Sequence, residues 1–231
     1  LRYRKHRPGI QALPRERPSM RRIALKILLC SAVMLGLPKG HAAPTVPCIT
    51  DIAPIRIGNT PVTLHPTGFP AVTITPFWRG NGNAWGYHLY AVTIPDAEQP
   101  DQADLVDKQD ANPSAPLTDM LADSPHTGED AIQTVHFAKA RVNGKPGLLL
   151  FVTTRDMGLY PVPQPSPAHV RIYQLTREDG EPGTTAFTFR PLSTIASPVT
   201  TCHADIALSA ATKIPFTTWN GPQEPVPTCP Q

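Results

Sequence analysis

Proline narrows what this chain can become more than any other residue. It occurs 29 times in 231 residues, four of them before residue 43, so 29 − 4 = 25 fall in the 189 residues from Ala43 onward. Proline lacks an amide hydrogen and fixes φ, so it breaks helix interiors and is confined to strand edges, bulges and turns. A helical bundle cannot be punctuated this often. Short strands with proline-rich connections can, and a chain of this length can bury ~70% of its unfolded surface as one domain. The expected fold is mainly β: an antiparallel meander or sandwich-like sheet with long proline-rich loops and one short C-terminal helix.

Charge divides the chain in two. Residues 1–42 hold 10 Lys/Arg and one acid, Glu16, for a net +9; residues 43–231 hold 11 Lys/Arg and 17 Asp/Glu, for a net −6. The overall +3 describes neither part. Met20, Arg21, Arg22 and Lys26 open a basic segment, an eleven-residue apolar run from Ile27 to Leu37 follows, and Pro38 and Gly40 end it. Gly40 and Ala42 then stand at −3 and −1 of a cut before Ala43. This is the layout of a secretory signal at 20–42. The run is too short for a membrane span, which needs about 20 residues. Residues 1–19, Arg-rich with three prolines, read as an unstructured upstream extension. The exported part is therefore acidic, and the expected location is periplasmic or secreted, with no nucleic-acid partner and no permanent membrane span.

The mature part reads as a single β-rich domain over 43–214 with a proline-rich tail at 215–231. Residues 49–57 are apolar and β-branched, interrupted by Pro54, which suggests an edge strand. Residues 71–78 and 87–94 alternate in polarity and form a hairpin. Between 96 and 130 lie 10 of the 17 acids and one base, Lys108, with no aromatic residue. That composition predicts a mobile acidic insertion, with a short helix at 103–109. Order returns at 131–142, where Ile132, Thr134, His136, Ala138 and Ala140 share one face. Asn143-Gly144 is a strong hairpin signal, because both central residues of a type I′ turn need positive φ. The loop is expected to extend through Lys145-Pro146-Gly147 to an apolar central strand, 148–154. Strands at 170–175 and 186–190 complete a four-strand meander. Thr201 is expected to cap a helix over 203–211, with Ile206 and Ala210 on one face.

Three cysteines follow the cut: Cys48, Cys202 and Cys229. In an oxidising compartment one internal bridge is expected, leaving one thiol. Cys48–Cys202 would tie the first strand to the helix; Cys202–Cys229, which would pin the tail, is the alternative.

Catalytic motifs are missing. There is no Gly-x-Ser-x-Gly elbow, no His-Glu-x-x-His, no phosphate-binding loop and no Cys-x-x-Cys. The expectation is no cofactor, no metal and no assigned catalytic residue. Three groupings still carry chemistry-bearing side chains. His126, Glu129 and Asp130 place an imidazole and two carboxylates where a strand begins, suited to acid–base work or to a solvated loop end. Cys202-His203-Ala204-Asp205 offers a thiol, an imidazole and a carboxylate, but neighbours on a helix diverge by ~100°. Arg155-Asp156 ends the most apolar strand and reads as a pair fixing the following loop or as part of a recognition surface. Trp78, Trp85, Tyr87 and Tyr90 are candidates for an aromatic patch, and the acidic insertion for docking a basic partner.

Three stretches together resemble a known group: Cys48-Ile-Thr-Asp-Ile-Ala-Pro54, Phe151-Val-Thr-Thr-Arg-Asp-Met-Gly158 and Val170-Arg-Ile-Tyr-Gln-Leu-Thr-Arg-Glu-Asp-Gly-Glu-Pro-Gly183. With the late Cys202, this layout resembles small periplasmic proteins of the carbapenem self-resistance (CarG-like) group, from Cys48 to about Ala211. The sequence departs from that group in having no cysteine within 124–131 and in its proline-rich tail. The resemblance implies protection by a non-hydrolytic route and transfers no site residue. The expected function is an exported, non-enzymatic binding or protective protein whose ligand, protein or small molecule, is unknown. The alternatives are a periplasmic hydrolase using His126, Glu129 and Asp130, or His203 with Asp205, and a cell-envelope structural component.

Overall fold

The computed structural model describes residues 47–80, 86–99, 101–110, 112, 117–125, 131–157, 164–178 and 185–216. In chain order these form β1 (Ile49–Ile55), β2 (Val62–Leu64), β3 (Val72–Arg79), β4 (Tyr87–Pro95), β5 (Ala103–Leu105), β6 (Asp107–Lys108), β7 (Leu121–Ala122), β8 (Ser124–Pro125), β9 (Ala131–Val142), β10 (Lys145–Arg155), β11 (Ala168–Arg177), β12 (Phe187–Ala196) and α1 (Ala204–Thr212). The mainly β expectation holds. The strands make a seven-stranded sheet, ordered β1-β9-β10-β11-β12-β6 with β8 beside β9, and a five-stranded sheet, ordered β2-β3-β4-β5 with β7 beside β4.

The larger sheet is covered on both faces, which explains its long apolar strands. Leu148, Leu150 and Val152 of β10 join Val135 and Phe137 of β9 in the core between the sheets, against Ile74, Val92 and Ile94 of the smaller sheet. The alternate residues, Leu149 and Phe151, pack with Ala138, Ala140, Val170 and Ile172 beneath Leu208 of α1. Alternation thus feeds two cores from the same strands. Among the described residues, no helix is long and apolar enough to cross a membrane.

The expected meander is present: β9 to β12 pair consecutively and antiparallel. Asn143 and Gly144 have φ of 49° and 79°, the left-handed pair of a type I′ turn. The loop is tighter than expected, because Val142 already pairs with Lys145 and the Pro146-Gly147 segment lies within β10. Pro146 fits there because β11 begins to pair only at Leu149, leaving its nitrogen at an open edge.

The acidic insertion departs from expectation. Residues 103–105 are strand, not helix, and the described part of the insertion supplies four short strands that pair with β4, β12 and β9. Few apolar side chains are needed: Val106 and Leu121 reach the inter-sheet core, while existing sheet edges accept the backbone hydrogen bonds. Polar composition alone therefore underestimates the order of a segment whose partners are already in place.

The proposed Cys48–Cys202 bridge is corrected by the ladder. The Cys48 carbonyl accepts from the Asn143 amide at 2.8 Å, next to the Val142 end of β9, whereas His203, adjacent to Cys202, bridges Ala131 at the other end. Twelve strand residues separate those ends, or ~35 Å at ~3.3 Å per residue. A disulfide requires Cα atoms within about 7 Å.

The outward face of the smaller sheet follows from its register. Thr63, Thr73, Thr93 and Leu105 form one row across β2, β3, β4 and β5. Thr75 lies opposite Ala91, and Phe77, Leu89 and Ala122 form a further row. The last row, Arg79 and Tyr87, is joined by a hydrogen bond from the guanidinium to the phenol oxygen at 2.9 Å.

Candidate functional site

The chemistry-bearing side chains converge where α1 meets β9. Thr134 and His136 lie on the face of β9 that turns towards the helix, among Ala138, Ala140 and Val142. Across the ladder, Thr153 stands opposite Thr134 and Phe151 opposite His136. The helix brings the carboxylate. Thr201 Oγ1 accepts from the His203 amide at 3.1 Å and shapes the entry turn. The cap itself is His203, in extended conformation, whose Nδ1 accepts from the Asp205 amide at 3.2 Å. The expected capping role of Thr201 thus passes to His203. The buried side of α1 is Ala204, Asp205, Ala207, Leu208 and Thr212, rather than the face holding Ile206 and Ala210.

Asp205 is only 4% exposed, and its Oδ1 is 2.6 Å from Nε2 of His136. Burial disfavours both charges, but each partner outweighs that penalty for the other. The His136 imidazole is held above its ordinary value, with Asp123 adding to the effect of Asp205. The Asp205 carboxyl is held below its own, through His136 first and His203 and Thr134 after it. The two directions agree on an imidazolium–carboxylate pair. The Phe216 ring meets His136 edge-on at 5.4 Å between centroids and also packs on Phe151 at 5.2 Å, laying hydrocarbon over the pair.

Arg155, 3% exposed, lies on the same face of β10 one step beyond Thr153. Its Nη1 donates to the Gln164 carbonyl at 2.8 Å and to the Ser166 hydroxyl at 2.9 Å. Ser166 in turn donates to the Asp156 carbonyl and exchanges backbone hydrogen bonds with Thr201. Arg155 thus clamps the base of the loop after β10 to the strand leading into α1. Asp156 is exposed and takes part through its backbone.

A second cluster lies on the other side of β9. The β9 edge passes from β1, which ends opposite Phe137, to β8, which begins opposite Gln133. Asp123 fills the step between them: its Oδ1 accepts from the Val135 amide at 2.9 Å. Its other oxygen lies 3.5 Å from Nδ1 of the buried His88. The Tyr90 hydroxyl is held strongly protonated, by burial first and then by Asp123 and Asp205. Above His88 lies Trp78, its ring 4.6 Å away. The indole rests on Gly86, where any Cβ would overlap it.

Of the residues singled out in the sequence, His203 and Asp205 do come together, but through a ring nitrogen and a backbone amide; the Asp205 carboxylate turns to His136 instead. His126, Glu129 and Asp130 lie outside the described residues, as do Trp85 and Cys229. The aromatic patch is divided: Tyr90 is core, while Trp78 remains 58% exposed. Among the described residues, no group of three or more His, Cys, Asp or Glu side chains is placed to hold a metal ion. Sequence reasoning missed His136, His88 and Asp123. The available sign was His136 itself, an imidazole in an otherwise small, apolar face of a strand. Its partner lies 69 residues away, beyond any local spacing rule.

A solved structure shares the fold. The chain is similar to the crystal structure of CarG, with a TM-score of 0.56 and 10% sequence identity, covering 72% of this chain and 99% of CarG. At that identity the likeness concerns the fold. No protein-family model and no curated protein sequence matches the chain.

Proposed function

We propose that this chain is an exported, non-enzymatic β-sandwich that acts by binding, with protection against carbapenems as the role implied by its resemblance to the self-resistance proteins. The observation that carries the reading is the way the ionisable groups are used. His136 and Asp205 neutralise each other beneath α1 and Phe216, His203 caps the helix, Arg155 holds a loop, and Asp123 completes a strand edge. A general acid or base must reach a substrate proton, and these groups are committed to backbone, helix or one another. Large apolar side chains, by contrast, are displayed: Phe77 and Trp78 are each more than half exposed at the end of β3.

Export follows from the leader read at 20–42. In the oxidising compartment that this reading implies, Cys202 is proposed to form a disulfide. With Cys48 held at the far end of β9, Cys229 is the partner the exported chain offers.

The test is production of the full chain in a carbapenem-sensitive Gram-negative host. The expected result is a processed protein in the periplasmic fraction and growth at several-fold higher drug concentration. A chain retained in the cytoplasm, or one that gives no protection from the periplasm, overturns the proposal.

A further inference from the structure

We propose that Arg171 and Tyr173 of β11, with Lys108 of β6 beside them, form a binding site for the carboxylate of a small molecule. The site gives the binding role proposed above its ligand class, and rests on that reading. Leu175, Tyr173 and Arg171 follow one another along the face of β11 that looks towards the smaller sheet, opposite Leu148, Leu150 and Val152 of β10 where Leu149 stands opposite Gln174. Leu175 and Tyr173 are buried, whereas Arg171 is exposed, so the cover of the smaller sheet stops between Tyr173 and Arg171. Lys108 is the one base among the ten acids of 96–130. The parallel pairing of β6 with β12 sets it opposite Phe189, and its Nζ lies 5.1 Å from the centre of the Tyr173 ring. At the same level β12 carries a bulge: Ser193 pairs with Ile172 and Pro191 with Tyr173, leaving Leu192 as the extra residue. Bulges of this kind re-aim side chains beside binding sites.

The polar groups of this corner are left open. Tyr173 is only 2% exposed, yet its phenol makes no hydrogen bond among the described residues. A buried hydroxyl without a partner is costly, and an acceptor brought by a ligand removes that cost. Among the described residues neither Lys108 nor Arg171 forms an ion pair. Burial holds the Lys108 ammonium below its ordinary value; Asp110 opposes this, and Arg171 adds to it. Two neighbouring cations, one of them half-buried, thus repel each other in a chain whose net charge from Ala43 onward is −6. Asp110 offsets one of them, and its Oδ1 also accepts from the Asn112 amide at 3.2 Å. The balance, 2 − 1 = +1, matches a singly charged carboxylate better than a doubly charged phosphate. The donors match it as well: a guanidinium fork, an ammonium and a phenol hydroxyl all donate to carboxylate oxygens. A carbapenem, which carries one carboxylate on its bicyclic ring, belongs to this ligand class.

The test is an NMR titration of the isotope-labelled protein, as it accumulates in cells, with a carbapenem and separately with benzoate. The expected result is a set of amide shifts centred on Lys108 and Arg171 that saturates with a Kd of about 1 mM or below. Arg171→Gln and Lys108→Gln should each weaken binding roughly tenfold, and Tyr173→Phe severalfold. Lys145→Gln, at the turn into β10, should leave it unchanged. Arg171 is exposed, so its replacement keeps the test open even where the Lys108 or Tyr173 variant fails to fold. Saturable binding of benzoate without the drug upholds the site and counts against drug binding as the protective role. No saturable shift with either probe overturns the site, as does binding indifferent to Arg171→Gln or equally weakened by Lys145→Gln. Protection in cells that persists alongside such a result leaves the protective reading standing without this site.

Discussion

His136 and Asp205 are each tolerable in the interior because of the other. Removing one partner leaves a buried charge without compensation, which costs roughly 3–5 kcal/mol. Asp205→Ala is therefore expected to lower unfolding stability by about that amount in urea titrations, whereas the double replacement His136→Leu with Asp205→Leu costs much less. The pair also has a pH signature. His136 has a raised folded value, so its contribution is complete below its unfolded value near ~6.5 and fades as pH rises through the folded one. Asp205 has a lowered value, so its contribution is complete above about 3.9 and is lost as pH falls. Urea titrations across pH should show the stability difference between the wild type and the double variant greatest between about 4 and 6.5, and shrinking as pH rises through the raised His136 value. Thr153 is the opposite case: its hydroxyl is fully buried with no hydrogen-bond partner among the described residues. Thr153→Val is expected to raise stability by about 1 kcal/mol, read as an increase in urea midpoint at constant slope.

The Asn143-Gly144 turn was legible because its requirement is local. Positive φ at two consecutive positions demands these residues, and the observed angles meet that demand. Asn143 does more than turn the chain, since its Oδ1 accepts from the Cys48 amide at 3.0 Å and fastens β1 to the hairpin. Asn143→Gly keeps the backbone but loses that bond, so Asn143→Ala should destabilise more than Asn143→Gly, by about 1 kcal/mol in thermal denaturation. Helix α1 was legible in position but not in facing. Its cap depends on His203, an uncommon capping residue, and its buried carboxylate depends on a partner in another element. The acidic segment was misread because its strands take their order from edges formed elsewhere in the chain. An element that borrows its hydrogen bonds leaves little periodicity of its own.

Over the whole molecule, the pattern that sequence exposes is the one repeated most often. Alternation along β9 to β12 identifies the meander, and the apolar run of β10 identifies its central strand. How two sheets and a helix stack on that meander is decided by contacts distant in sequence, and the cysteine positions show the consequence. Cys48 and Cys202 border structured segments as expected, yet β9 holds them at opposite ends. Protein recovered from the periplasmic fraction, as the proposed export requires, is expected to contain one disulfide, joining Cys202 and Cys229. Peptide mass mapping without reduction checks this, and a Cys48-containing cystine would contradict it.

The central claim is that the buried imidazole–carboxylate chemistry supports the fold while the surface acts. The most direct test follows carbapenem absorbance with purified protein, comparing the wild type with the His136→Leu, Asp205→Leu variant in the same hosts and assays. No drug consumption by either protein and equal protection by both are expected. Turnover by the wild type that disappears in a folded double variant would contradict the claim.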